Sequence, residues 1–228
     1  MRTLFPAIIL IGFFACLSAC DRQSQPAGKA PVAKTDESAI NDPEMAKKLA
    51  EAKAAYAKLT PAEKAKLAAR WEKERTTLPI SLTEARSIKI RPVGAAETTL
   101  GARAPVGTPT VVAAWASWCI PCKLEARELA RLRQQYGRDK LNIVYLNIGT
   151  PDEERAKGLG FLRDAGAQQL GLTMLDQADY MKLTRVDQVS VPRVLVFDRT
   201  GKPISVISGA VTGKRDMRLA NAINTVVS

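Results

Sequence analysis

The chain has 228 residues, a length that suits one domain with additional segments. With 34 Lys and Arg residues against 23 Asp and Glu residues, its net charge is +11, which favours an acidic partner such as nucleic acid or an anionic membrane surface. Histidine is absent, which excludes His-dependent catalytic triads and most zinc and copper sites.

The first residues predict export and attachment to a membrane. An apolar run follows the initial "MRT" and is too short to predict a spanning helix. It ends in Leu-Ser-Ala-Cys at 17–20, which resembles the lipobox of bacterial lipoproteins. On that resemblance, residues 1–19 are a signal peptide, Cys20 is lipidated, and Asp21 favours retention at the inner membrane, as it does in enterobacterial lipoproteins. An ordinary signal peptide or an uncleaved anchor is the alternative.

Export changes the interpretation of the cysteines and of the charge. Cys16 would leave with the signal peptide and Cys20 would carry lipid, so the mature protein would keep two free thiols, Cys119 and Cys122. Export also argues against a nucleic-acid partner. The positive charge is then expected to lie near anionic lipid headgroups.

Two segments precede the predicted main domain. Residues 20–44 are polar and rich in Pro, Ala, Ser and Lys, which predicts a flexible tether. Residues 45–77 predict a basic helical extension whose second helix begins with a capping box formed by Thr60 and Glu63. A helical hairpin packed on its own domain is preferred, because the apolar spacing covers too few heptads for a coiled coil. An arm for oligomerisation or docking is the alternative.

Residues 78–228 show the pattern of an α/β domain. The part before Pro109 is short, β-like and broken by Gly and Pro. The elements predicted after it are a strand "TVVAAW", a helix from about 119 to 136, a strand "LNIVYLNI", a helix within 152–166, a short strand near 172–175, a short helix near 177–184, strands "RVLVF" and "PISVIS" joined by "DRTGK", and a closing helix over 213–227. This order predicts a mixed sheet flanked by helices.

Cys119 and Cys122, separated by Ile120 and Pro121, lie at the junction of a predicted strand and helix. The sulfur of Cys119 is therefore expected at a helix N-terminus, where free N–H groups and the helix dipole lower a thiol pKa. Pro121 suits an early helical position. We expect Cys119 to be the exposed attacking thiol and Cys122, one turn further on, to be the buried resolving thiol.

Three kinds of chemistry use two cysteines at this spacing. A zinc site needs about four N or S ligands, and without histidine neither a zinc nor a copper site is filled, so we predict no metal and no cofactor. A structural disulfide closing so small a loop would stabilise little. Redox exchange remains, and a C-x-x-C motif between a strand and a helix is a strong signal for it.

With these motifs the chain resembles the thioredoxin superfamily, in particular its membrane-tethered TlpA and ResA branch. "PTVVAAWASWCIPCKLEARELARL" resembles the strand, W-C-x-x-C motif and first helix of the branch, and "VSVPRVLVFDRTGKPI" resembles its cis-proline, strand and hairpin. The resemblance covers roughly residues 95–228 and implies a thioredoxin-like fold with a cis Val191–Pro192 bond facing the disulfide. The predicted catalytic residues are Cys119, Cys122, Glu125 and Pro192, and the predicted substrate-binding residues are Trp118, Ile120, Pro121 and Val191.

Glu125 shares a helical stripe with Leu129 and Leu132. Partial burial there would raise its pKa and suit it to exchange a proton with Cys122. It also matches an acidic residue that some reductants of the branch place beside their disulfide. The alternative is a solvated glutamate paired with Lys or Arg.

Three further positions matter in the comparison with the superfamily. Trp118 is expected to shield the disulfide, with simple packing in the core as the alternative. Ala113 stands where thioredoxin has a buried Asp, so the role of proton acceptor falls to Glu125 or water. Arg127 stands where many relatives have a proline that kinks the first helix.

These features predict a lipid-anchored, periplasm-facing thiol–disulfide oxidoreductase, and the lack of histidine favours a reductant. In an oxidising compartment a reductant needs an integral thiol-transfer partner as its electron donor. The resemblance implies protein substrates with cysteines awaiting haem or copper, as in relatives that serve cytochrome maturation. The alternatives are a disulfide oxidase or isomerase, the latter as an oligomer built through 45–77, or a redox-sensing adaptor that acts through its helical arm.

Overall fold

The computed structural model describes residues 43–209 and 217–228. The predicted signal peptide, the lipidation site Cys20 and almost all of the tether at 20–44 lie outside the described residues, as does the start of the predicted closing helix. In the described part of the chain, no helix combines the length and the apolar character needed to cross a bilayer.

The described residues form eight α-helices and seven strands. In chain order these are α1 (Pro43–Ala57), α2 (Pro61–Thr76), α3 (Leu82–Ala85), β1 (Lys89–Pro92), β2 (Thr98–Thr99), α4 (Leu100–Arg103), β3 (Thr110–Trp115), α5 (Ile120–Lys140), β4 (Asn142–Asn147), α6 (Pro151–Asp164), β5 (Thr173–Met174), α7 (Gln177–Thr184), β6 (Arg193–Phe197), β7 (Pro203–Ser208) and α8 (Arg218–Val227). A short 3₁₀ helix, Gln168–Leu170, lies between α6 and β5.

The strands form one mixed sheet in the order β2-β1-β5-β4-β3-β6-β7. Strand β3 pairs in parallel with β4 and antiparallel with β6, and β4 pairs in parallel with β5. Strands β6 and β7 form the predicted antiparallel hairpin, and β1 pairs antiparallel with both β2 and β5. The predicted fold class, a mixed sheet flanked by helices, is confirmed.

Strand β3 is buried on both faces, which explains why its sequence lacks polar residues after Thr110. Val111, Ala113 and Trp115 face a core cluster that also contains side chains of α5, α6 and α8. Val112 and Ala114 face a second cluster formed with α3, α4 and α7. The carboxyl end of this buried strand is therefore held in place, and it positions the N-terminus of α5.

The segment before β3 differs from the β-like prediction, because it contains two helical turns, α3 and α4, as well as two short strands. At α3, Ser81 and Glu84 form a capping box in which the Ser81 N–H donates to the Glu84 carboxylate at 2.9 Å. Leu82 and Ala85 are buried. The capping pattern was present in the sequence, but a four-residue helix has no apolar period to accompany it.

Helices α1 and α2 form a hairpin, and the predicted capping box at the start of α2 is confirmed: the Thr60 N–H donates to Glu63 at 2.7 Å. The rings of Tyr56 and Trp71 stack with centroids 6.5 Å apart across the hairpin. At the other end of α2, Glu74 is buried and accepts a hydrogen bond from Gln188 at 3.0 Å. Helix α2 therefore packs on its own domain, as the preferred interpretation predicts.

Candidate active site

Cys119 and Cys122 form a disulfide at the junction of β3 and α5. The S–S distance is 1.99 Å and the two Cα atoms are 5.3 Å apart. Cys119 is the N-cap residue of α5, and the N–H of Cys122 donates to the carbonyl of Cys119 at 3.0 Å. The sequence-predicted position of the pair, at the N-terminus of a helix that follows a buried strand, is the one observed.

The expectation that Cys119 is exposed is wrong for this disulfide form, because only 3 % of the residue is accessible. The N–H of Cys119 donates to the carbonyl of Ala116 at 3.0 Å, which closes a turn. This turn places Cys119 in the core cluster that contains Trp115 and Ala126. Cys122 is 0 % exposed, and the assignment of Cys119 as the sulfur that a partner reaches first stays a prediction.

Apolar side chains surround Cys119 in the sequence and reach the surface. Trp118 is 58 % exposed, so the alternative that it packs in the core is wrong. Ile120 and Pro121 are half-buried. An exposed aromatic ring beside a reactive pair is suited to contact a partner protein, and the role of these residues in substrate binding stays a prediction.

Glu125 lies one helical turn beyond Cys122 and is 0 % exposed. Among the described residues, neither of its carboxyl oxygens has a hydrogen-bond partner. Burial raises the pKa of Glu125 to about 8, because removal from water disfavours the charged carboxylate. The alternative of a solvated, ion-paired glutamate is wrong.

Tyr145 is a site residue that the sequence analysis missed. Its ring stacks on Trp115 with centroids 4.9 Å apart, and its hydroxyl donates to the carbonyl of Cys122 at 3.3 Å. Burial, and to a smaller extent the charge of Glu125, raises the pKa of Tyr145 well above its usual value. Its register partner on β3 is Ala113, the position where thioredoxin has an Asp. The only sequence signal was a tyrosine within an apolar strand.

The Val191–Pro192 peptide bond is cis, the geometry that the resemblance implies. Pro192 is buried and precedes Arg193, which pairs with Ala114 at the carboxyl end of β3. Val191 packs against the core cluster that contains both cysteines. The fold therefore brings this peptide bond to the end of the sheet at which the disulfide lies.

Glu154, which the sequence analysis also missed, fixes the position of the chain just before the disulfide. Its buried carboxylate accepts hydrogen bonds from the Ser117 N–H at 3.0 Å, the Ser117 Oγ at 2.7 Å and the Asn147 Nδ2 at 2.7 Å. A Cβ atom at Gly149 would lie 2.4 Å from the Glu154 Cγ, so a glycine is needed beside it. In the sequence, Glu154 is one of three acidic residues in the first turn of α6, a pattern that ordinary helix N-termini share.

The arrangement suits thiol–disulfide exchange. It combines a buried disulfide at a helix N-terminus, a buried carboxyl group whose pKa is raised, and an exposed aromatic side chain beside the pair. Among the described residues, no three or more His, Cys, Asp or Glu side chains are grouped so that they could hold a metal ion.

The comparisons with curated proteins find relatives of one kind, although no protein-family model matches the chain. The thiol:disulfide interchange protein HelX of Rhodobacter capsulatus is 32 % identical over 130 residues, which is 57 % of this chain and 68 % of HelX. The thiol-disulfide oxidoreductases ResA of Geobacillus thermodenitrificans and of Bacillus subtilis are 27 % and 24 % identical over 107 and 98 residues. The match covers 46 % and 43 % of this chain but only 56 % and 51 % of the two ResA chains.

Solved structures show the same fold. A thioredoxin-family thiol:disulfide interchange protein from Chlorobium tepidum superposes with a TM-score of 0.50 at 16 % identity, over 66 % of this chain and 97 % of its own. The thioredoxin domain of a thiol-disulfide oxidoreductase from Bacteroides vulgatus has a TM-score of 0.50 at 16 % identity, over 63 % and 95 % of the two chains. About two thirds of the chain therefore has a thioredoxin-like fold.

Proposed function

This chain belongs to the thioredoxin-like thiol–disulfide oxidoreductases, and from that starting point we propose that it is a lipid-anchored reductant of protein disulfides on the periplasmic side of a bacterial inner membrane. The observation that carries the proposal is the Cys119–Cys122 disulfide at the end of the central strand, with Cys122 fully enclosed and Cys119 slightly accessible. Such a pair can cycle between dithiol and disulfide with one sulfur in contact with the partner.

The proposed reaction has two exchange steps. The Cys119 thiolate attacks one sulfur of a substrate disulfide, a mixed disulfide forms, and the other substrate sulfur leaves as a thiolate. Cys122 then gives its proton to the Glu125 carboxylate and attacks the Cys119 sulfur, which releases the second substrate thiolate. The substrate gains two electrons, and the chain is left with the Cys119–Cys122 disulfide.

Glu125 suits the second step for a physical reason. Cys122 and Glu125 share the buried face of α5, and a carboxyl with a pKa of about 8 is close in proton affinity to an ordinary thiol. A carboxylate with an ordinary pKa would accept a thiol proton far less readily. The position that holds a buried Asp in thioredoxin is Ala113 here, so the proton falls to Glu125.

The direction of electron flow follows from what stabilises the Cys119 thiolate. Strong disulfide donors owe their oxidising character to a stabilised reduced form. The sequence contains no histidine, so no imidazolium contributes to such stabilisation here. A higher thiolate energy favours the disulfide state of the pair and makes its dithiol form a reductant.

The lipobox-like sequence ending at Cys20 supports the anchor, and the basic composition supports a position at an anionic lipid surface. The periplasm is oxidising, so a membrane thiol-transfer protein would return electrons to the pair. The resemblance to the TlpA and ResA branch supports protein substrates whose cysteines await haem or copper.

The reduction potential of the Cys119–Cys122 pair tests the direction. We would equilibrate the chain carrying Cys16→Ser and Cys20→Ser with thiol buffers and measure the reduced fraction, with Cys119→Ser as a control that cannot form the pair. A value of about −230 mV or lower is expected, in the range of thioredoxins and glutaredoxins. A value near about −120 mV, typical of disulfide donors, would show that electrons flow the other way.

A further inference from the structure

The Glu154 carboxylate is bonded to the segment that leads into Cys119. It accepts a hydrogen bond from the Ser117 N–H at 3.0 Å and another from the Ser117 Oγ at 2.7 Å. Ser117 precedes Cys119 by two residues, so their Cα atoms are separated by roughly 7.6 Å at most, twice the spacing of consecutive Cα atoms. The bond from the Cys119 N–H to the Ala116 carbonyl closes a turn at this point. Glu154 is therefore held close to Cys119.

The donors around Glu154 fit an ionised carboxylate. The Gly149 N–H donates to the Asn147 Oδ1 at 2.8 Å, which orients the amide so that its NH₂ group faces Glu154. This NH₂ group and the Ser117 N–H both donate to the Glu154 Oε2, at 2.7 Å and 3.0 Å. Both groups can only donate, so Oε2 accepts and carries no proton. Such bonds favour the charged form of a carboxyl group.

Within the part of the chain that the structure describes, the groups that bond to Glu154 are uncharged. The residue is almost completely buried, so water screens its charge poorly. The cations near the start of α5 contact Asp164 instead, with the Lys123 Nζ at 3.8 Å from its carboxylate and Arg127 donating to its carbonyl at 3.5 Å. A buried charge of this kind acts on its neighbours through a medium of low dielectric constant.

The charge of Glu154 matters when the pair is reduced, because the disulfide itself is neutral. Reduction breaks the S–S bond with two electrons from a thiol partner. Cys122 takes up a proton, and Cys119 takes up a second proton or remains a thiolate, depending on the pH. We propose that the Glu154 carboxylate raises the free energy of the Cys119 thiolate and thereby makes the dithiol form of the pair a stronger reductant. The inference rests on the proposed function, and in it Glu154 is a positioning residue that acts through Cys119.

The N-terminus of α5 acts in the opposite direction. Cys119 is the N-cap residue, where free N–H groups and the helix dipole stabilise a thiolate. The negative charge of Glu154 counteracts this stabilisation, so Cys119 keeps its thiol proton to a higher pH than its position on the helix alone would dictate. This supports the proposed direction of electron flow, because strong disulfide donors owe their oxidising character to a stabilised reduced form.

The elements of the core cluster that contains the pair carry other ionisable groups, namely Lys123, Glu125 and Arg127 of α5, Tyr145 of β4, Asp164 of α6 and Arg218 of α8. Burial raises the pKa of Glu125 to about 8, so Glu125 changes its charge within the pH range of a redox measurement. A test of Glu154 must therefore compare chains that share all of these groups and differ at one position.

The test measures the ratio of dithiol to disulfide in thiol buffers at pH 6 and pH 9, in the full chain carrying Cys16→Ser and Cys20→Ser. Glu154→Gln removes the charge and should raise this ratio about tenfold at pH 9, which corresponds to about 30 mV for a two-electron couple. At pH 6 the ratio should be almost unchanged, because Cys119 is then a neutral thiol with or without the charge.

Two controls separate the charge from the structure of the segment. Ser117→Ala removes a hydrogen bond to Glu154 but keeps the charge, and Glu153→Gln removes an exposed charge from the same helical turn. Both variants should keep the ratio of the parent chain at both pH values. An equal shift in Ser117→Ala and Glu154→Gln would show that the geometry of the segment sets the equilibrium, and would overturn the inference. Equal shifts of Glu154→Gln at pH 6 and pH 9, or none, would also overturn it.

A second measurement does not depend on the folding of Glu154→Gln. In the chain carrying Cys16→Ser, Cys20→Ser and Cys122→Ser, Cys119 is the thiol that remains to react with iodoacetamide. The alkylation rate should rise with pH around a midpoint above about 7.5, the upper limit for thiols that helix N-termini and cations make acidic. A midpoint at or below this value would overturn the inference.

The proposed function fails on a different result. A potential near about −120 mV in the parent chain would contradict the direction of electron flow, whatever Glu154→Gln does to the ratio. The inference about Glu154 depends on the difference between the variant and the parent chain.

Discussion

Two buried glutamates lie near the disulfide, one bonded to the chain just before it and the other in the helix just after it, and their surroundings are opposite. Glu154 reaches Ser117, two residues before Cys119, and accepts hydrogen bonds from Ser117 and Asn147. Glu125 follows Cys122 by one turn, and its oxygens have no hydrogen-bond partner among the described residues. Both side chains are almost completely removed from water, with 2 % and 0 % exposure.

The difference follows from where each glutamate lies on its helix. Glu154 is in the first turn of α6, beside a loop whose N–H and hydroxyl groups need acceptors. Glu125 is inside α5, where the backbone N–H groups already bond within the helix and the side chain meets the apolar core. The Glu154 carboxylate fixes Ser117 and Asn147 through hydrogen bonds. Glu125 has no such bonds, so only protonation, which removes its charge, lowers the free-energy cost of its burial.

Glu125→Gln is expected to have the largest effect. The pKa of Glu125 is about 8 in the folded chain against a usual value of 4.5, so the folded chain binds this proton more tightly than the unfolded chain. The free energy of unfolding should therefore fall as the pH rises from about 4.5 to about 8, by up to about 5 kcal/mol, and then level off. Glutamine does not titrate, so the variant should lack this fall. Urea unfolding of the oxidised chain across this pH range measures it.

A matched control lies on the same helix. Glu128 is half-buried and forms an ion pair with Arg131 at 2.6 Å, so Glu128→Gln should keep the fall in stability. An unaltered fall in Glu125→Gln would mean that other groups cause it. Glu125→Gln should also slow the attack of Cys122 on a mixed disulfide at Cys119, by about a hundredfold if Glu125 accepts the thiol proton.

The position of Glu125 on the inner face of its helix could be predicted from sequence, although only partial burial was expected there and the structure shows full burial. Its spacing from Cys122, Leu129 and Leu132 places it on the inner stripe of a helix, and the helix itself was evident from its position after an apolar strand. The hairpin of β6 and β7 was equally readable, because its turn residues lie between two apolar runs. Such features depend only on residues that are close together in the sequence.

The contacts that a single sequence does not predict join distant residues. Ser117 and Glu154 are 37 positions apart, and Thr77 and Arg193 are 116 apart. Neither pair has a local pattern, because each depends on how elements meet after folding. The burial of Cys119 was missed for a related reason: it depends on the turn from Ala116, which folds the residue back into the core.

The same substitution at Glu154 should have the opposite sign. Glu154→Gln places an NH₂ group among the donors of Ser117 and Asn147, so at least one buried donor loses its acceptor. A loss of about 2 kcal/mol in the free energy of unfolding is expected at pH 8, where Glu125→Gln should be stabilising. Glu153→Ala, at the exposed neighbouring position, should change stability by about 0.5 kcal/mol or less. Equal signs for the two glutamine variants would contradict the comparison.

The smallest expected effects concern one hydroxyl on each side of the disulfide. The Ser117 Oγ donates to the Glu154 carboxylate at 2.7 Å, whereas the Tyr145 hydroxyl donates to the Cys122 carbonyl at 3.3 Å. Ser117→Ala removes the shorter bond to a carboxylate and should cost about 1.5 kcal/mol in urea unfolding, whereas Tyr145→Phe removes a longer bond to a neutral group and should cost about 0.5 kcal/mol. If Tyr145→Phe lowers the free energy of unfolding as much as Ser117→Ala does, the Tyr145 hydrogen bond also fixes the local structure. The surroundings of Glu125 would then be as firmly bonded as those of Glu154.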